Sequence, residues 1–126
     1  MRKSRVWAYG PAGLYMICIF ILSSIPSVRP PDLGLNYEDK IAHVLEYTIL
    51  GALLMRGGLL RHPASVRLFF TVFIIGTLYG ASDELHQRFV PNRFASPWDA
   101  LADMIGILLG MILFRVWKKC HTKPEP

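Results

Sequence analysis

The sequence predicts an all-α integral membrane protein with four transmembrane helices, both termini cytoplasmic, and a polar loop and pocket at the outer face. Three observations lead there. The chain is 52% apolar with a mean hydropathy of +0.34, which is high for a soluble domain of 126 residues. Four segments approach the ~20 apolar residues that cross about 30 Å of hydrocarbon. The charged residues also sort to opposite ends of those segments.

The first span, 7–25, carries no charge. Its lead, MRKSR, has the look of a signal peptide, but no A-x-A-like pair lies among Ile21–Val28 and Pro26 falls where cleavage would occur, so an uncleaved helix is expected. The second span, 39–55, is the weakest because His43 and Glu46 interrupt its apolar pattern. The third, 67–85, is uncharged between Arg67 and Asp83, and the fourth, 98–117, is apolar from Met104 to Phe114. Breaks are expected at Pro26–Leu35 and His86–Pro97 (outer loops) and at Gly57–Ser65, a short inner turn. The tail His121–Pro126 is short, polar and terminal, and is expected to lack regular structure. With no internal repeat, the whole of 1–126 reads as one domain.

Orientation follows from the basic residues. With the N-terminus cytoplasmic, ten of the fourteen lie inside and only Arg29, Lys40, Arg88 and Arg93 lie outside. Among the acids, Glu125 alone is inside and the other eight lie outside or in the outer half. The basic pI of about 9.5 is thereby explained by insertion and by contact with anionic headgroups. Membrane lipids are the expected partners; nucleic acid is not. Cys18, mid-span, and Cys120, in the inner tail, are too far apart in this topology for a disulfide.

Charged groups near hydrocarbon are expensive and tend to mark function. The stretch Ser82–Asp103 is dense in them and sits between two apolar runs. On the second span Asp39, His43, Glu46 and Leu50 share one helical stripe, with Tyr47 beside His43. On the third, Gly76, Gly80, Asp83, Glu84 and Gln87 lie close to one stripe. On the fourth, Asp99, Asp103, Gly106 and Gly110 repeat at 4-3-4. The glycines read as close-packing positions, while Ser82 and Asp83 also read as ordinary polarity at a helix end. Asp99 suits a cap after Ser96-Pro97. The three polar stripes are expected to face one another, because lipid would leave them unsatisfied.

The order D-K-x-x-H-x-x-x-Y (Asp39, Lys40, His43, Tyr47) is followed by D-E-x-x-Q-x-F-x-P-x-R-x-x-S-x-x-D-x-x-A-D-x-x-G-x-x-x-G, from Asp83 to Gly110. Together they resemble the VanZ-like membrane proteins over more than half the chain. Many members carry Asn where this chain has Asp103. The family's name member is associated with low-level teicoplanin resistance. The resemblance implies a multi-pass protein of the bacterial cytoplasmic (inner) membrane that acts near the cell envelope, and it brings no agreed catalytic activity or cofactor.

Candidate ligand-binding residues are Asp39, Lys40, His43, Tyr47, Glu84, Gln87, Arg93, Ser96, Asp99 and Asp103. In one reading they form an outer-leaflet pocket that binds or modulates an envelope lipid or a glycopeptide-like ligand. Arg93 would contact phosphate or carboxylate through its guanidinium fork. In a second, His43 or Glu84 is the general base of an intramembrane enzyme acting on a lipid phosphate headgroup. Glu84, Asp99 and Asp103 would then offer oxygens suited to Mg²⁺ or Ca²⁺. A transporter ranks last, because the polar ladder stops about halfway through the membrane.

Overall fold

In a computed structural model, which describes residues 4–29, 32, 34 and 37–122, the chain forms four helices. These are α1 (Arg5–Ser24), α2 (Glu38–Arg61), α3 (Val66–Gln87) and α4 (Pro97–His121). Arg2, Lys3, Lys123 and Glu125 of the charge pattern, the tail beyond Thr122 and part of the 26–35 loop lie outside the described residues. Three helices start on a serine whose hydroxyl accepts an N–H of the first turn: Ser4 from Trp7, Ser65 from Leu68 and Ser96 from Trp98. The fourth, α2, has no side-chain cap but begins with Glu38 and Asp39, which complement the dipole.

Helices α1, α3 and α4 are each long and apolar enough to cross a membrane. Apolar residues such as Leu14, Phe20, Phe70, Leu78, Ile105 and Leu113 face outward on them, as a lipid-facing belt requires. The helix too polar to qualify, α2, is the hub: it touches α1, α3 and α4, whereas α1 and α4 do not meet among the described residues. Its polarity therefore points into protein. Tyr47, Leu50 and Met55 of α2 are fully buried with Ile107 and Met111 of α4.

The α2–α4 seam is made by glycine. A Cβ on Gly106 would lie 2.6 Å from the Val44 carbonyl oxygen, and one on Gly110 or Gly51 would strike the backbone of Thr48 or Ile107. The stretch Gly57–Gly58 corrects the expected inner turn. Helix α2 continues through both glycines to Arg61, and only His62–Ser65 turns the chain. Gly57 instead gives α1 room, since a Cβ there would lie 2.6 Å from the Tyr9 ring, and Gly58 does the same for Leu68.

Pro11 lies inside α1 and has no N–H for the Trp7 carbonyl four residues back. Arg56 supplies the donor. Its Nη1 lies 3.3 Å from the Trp7 and Ala8 oxygens, with the guanidinium 4.4 Å from the Trp7 ring centroid. Arg56→Met should therefore lower stability by about 1–2 kcal/mol, read as thermal unfolding in detergent. The loss should shrink in a Pro11→Ala background, where the backbone again satisfies Trp7. An equal loss in both backgrounds would show that Arg56 acts otherwise.

Candidate functional site

The start of α2, the end of α3, the start of α4 and the 88–96 loop meet at one end of the bundle. The three polar stripes do face one another there. Lys40 leads from the rim inward, pairing with Asp39 and reaching Asp99 Oδ1 at 2.6 Å. One turn deeper, His43 Nδ1 lies 2.7 Å from Asp103 Oδ1 and 3.7 Å from Glu84 Oε1. The Ser96 N–H donates to Glu84 Oε2 at 3.3 Å, tying the cap of α4 to the end of α3. Gln87 donates to Asp83 Oδ2 at 3.0 Å.

Of these groups Asp39, His43, Asp83, Gln87 and Asp99 line a cavity of about 780 Å³, whereas Lys40, Glu84, Ser96 and Asp103 lie outside its lining. Its wall includes His43 and Glu46 of α2, Asp83 and Gln87 of α3, Asp99 of α4 and Arg93 of the loop. Asp32, Glu38 and Asp39 add acids, and Arg29 adds a base. The lining is therefore acidic on balance. Several buried oxygens have no hydrogen-bond partner: Glu84 Oε1, Asp83 Oδ1, Asp103 Oδ2 and the Tyr47 hydroxyl. Native structures rarely leave such atoms unpaired without a ligand, ion or water to meet them.

Of the ten candidate residues, Asp39, Lys40, His43, Glu84, Gln87, Ser96, Asp99 and Asp103 join this network. Tyr47 does not line the cavity; it is fully buried beneath it, against Gly80 and Gly106. Arg93 lines the cavity, but its Nε and Nη2 donate to the carbonyls of Ile25 and Leu22 at 3.3 and 2.7 Å. Two of its three guanidinium nitrogens thus serve the C-terminal end of α1, where carbonyls lack intrahelical donors.

Asp83 differs from the helix-end reading. It is 5% exposed and lines the cavity, whereas its neighbour Ser82 is exposed and donates to the Tyr79 carbonyl. The signal was its i, i+4 relation to Gln87 on the glycine stripe. A Ser24–His86 contact at 3.0 Å, stacked on Phe20, had no sequence signal. The Ser24 hydroxyl proton points to the Phe20 carbonyl at 2.7 Å, so His86 acts there as donor and no nucleophile is primed.

A model of the VanZ/LLP1 family matches residues 12–118. Comparison with curated proteins and with solved structures finds no match. The chain belongs to the VanZ/LLP1 family.

Proposed function

We propose that this VanZ-like membrane protein binds or modulates an envelope lipid, or a glycopeptide-like ligand, in a polar pocket opening to the outer leaflet of the bacterial cytoplasmic membrane. The observation that carries the reading is the cavity of about 780 Å³, whose wall holds ionisable side chains from three helices. A hole of this size fits a headgroup or a small glycan, and the outward apolar belt would suit such a ligand's acyl chains. In the cavity wall His43, Gln87 and Arg93 offer donors and Asp83 and Asp99 offer acceptors for amine, hydroxyl and phosphate groups. Native mass spectrometry of the protein released from bacterial membranes should detect one retained envelope lipid per chain. Protein free of any retained ligand, and binding none when lipid is returned, would reject the proposal.

A second reading is a metal-assisted enzyme acting on a lipid phosphate headgroup. It is favoured by the approach of His43, Glu84 and Asp99, whose donor atoms lie within 4.8 Å of one another.

Both readings need α2 to span with its polar end outside and both termini in the cytoplasm. Ile41, Leu45 and Ile49 form an exposed apolar stripe along α2, which supports lipid contact on that side. In a background without Cys18 and Cys120, a cysteine at Asn92 should react with an impermeant thiol reagent from outside intact cells, and one at Thr122 should not. Labelling at Thr122 would reverse the orientation. Taken alone, α2 should also insert less well than α1, because acidic groups near a helix centre cost about 3 kcal/mol. Equal insertion of the two segments would mean that His43 and Glu46 reach the surface without help from their neighbours.

A further inference from the structure

We infer that His43, Glu84 and Asp99 form a site for one divalent transition metal ion of the Zn²⁺ class, with the Lys40 ammonium as its built-in competitor. The second functional reading requires such an ion and the first does not, so the site stands or falls independently of lipid binding.

Three observations converge. First, the three side chains come from three helices and their donor atoms lie within 4.8 Å of one another. A tetrahedral ion about 2.0–2.2 Å from each donor needs them about 3.5 Å apart. Side-chain rotation of about an ångström closes that gap. Second, Glu84 is 6% exposed and its Oε1 has no hydrogen-bond partner. A buried carboxylate oxygen left unpaired is costly unless a cation meets it. Third, the imidazole is already oriented. Asp103, 1% exposed, holds His43 Nδ1 at 2.7 Å, which leaves Nε2 as the ligating nitrogen in the carboxylate–imidazole arrangement typical of metal-ligating histidines.

The donor set also selects the ion. Asp103 stands outside the donor group within 4.8 Å, which is His43, Glu84 and Asp99, so the three oxygens expected to suit Mg²⁺ or Ca²⁺ are not the set brought together among the described residues. One imidazole nitrogen with two carboxylates fits Zn²⁺ or its neighbours better than an all-oxygen ion. Three protein donors leave a fourth position, and the cavity beside His43 and Asp99 gives it access. Lys40 sits on Asp99 Oδ1 at 2.6 Å. Metal binding through Oδ1 displaces that ammonium, so the Asp99 carboxylate is shared between a fixed positive charge and the ion.

The test is Zn²⁺ titration by calorimetry, with metal content after dialysis, on chelator-stripped protein in detergent. A Cys120→Ser/His121→Gln background removes the exposed tail donors. One Zn²⁺ per chain is expected, with Mg²⁺ far weaker. Glu84→Gln and Asp99→Asn should each weaken binding by at least the roughly 10–100-fold that loss of an outer-shell partner costs. Lys40→Met should tighten it by roughly tenfold, because it frees Asp99 and removes a like charge. The Lys40 result is a gain, so no folding defect can imitate it. Absence of stoichiometric Zn²⁺, or binding indifferent to Glu84 and Asp99, would overturn the site. Weaker binding in Lys40→Met would overturn the competition.

Discussion

Gly110→Ala should abolish or severely weaken the folded state, although it adds one methyl group. The new Cβ would strike the Thr48 carbonyl and lie 2.7 Å from the Ala52 nitrogen. Both are backbone atoms and cannot rotate aside, so α2 and α4 would have to separate. Gly51 and Gly106 lie on the same seam, and parting the helices there also unpacks Tyr47, Leu50 and Ile107. Overpacking costs about 1–3 kcal/mol when side chains can yield, and more when they cannot. Gly13→Ala is the control, because a Cβ there meets nothing within 4 Å. Alanine's helix propensity should make that change neutral or stabilising, by up to about 1 kcal/mol. Abundance in membranes and thermal unfolding in detergent should separate the two variants. Wild-type stability in Gly110→Ala would mean that the α2–α4 contact is looser than described.

The second large effect belongs to Asp103. This carboxylate is 1% exposed and holds His43 at 2.7 Å. Asp103→Leu removes the partner of a buried imidazole and adds bulk near Gly80, where a Cβ would already lie 3.0 Å from that of Asp103. Breaking a buried pair typically costs about 3–5 kcal/mol, so the Leu variant should fail to accumulate. Asp103→Asn keeps an oxygen that can accept from His43 Nδ1 and should be tolerated, in line with the Asn that many VanZ-like proteins carry there. Equal abundance of the Leu and Asn variants would show that the His43–Asp103 contact contributes little to the fold.

Much of this was legible in the sequence. Apolar length alone located α1, α3 and α4, and i, i+4 spacing placed His43, Glu84, Asp99 and Asp103 on faces that do converge. Periodicity identifies a face but not what it meets. That is why Gly57–Gly58 read as a turn, although both glycines make room for Tyr9 and Leu68 within a continuous helix. The same limit hid Arg93's service to the α1 carbonyls and Arg56's to Trp7, since both pairings join residues far apart in the chain. Asp83 was legible as part of a stripe, but its burial depended on how far α3 continues past the apolar run. Glu46, one stripe position below His43, gave the depth of the pocket without giving its volume.

On the reading proposed above, these polar groups serve a ligand pocket, beyond their part in a charge network holding three helices together. The most direct measurement compares lipid retention, by native mass spectrometry, with thermal stability across wild type, Glu84→Gln and Asp99→Asn. Both substitutions keep side-chain shape and remove only charge. Retention should fall sharply in each while abundance, helix content and unfolding temperature stay close to wild type. If retention declines only in step with stability, or stays at the wild-type level in both variants, the constellation is structural and the pocket reading is wrong.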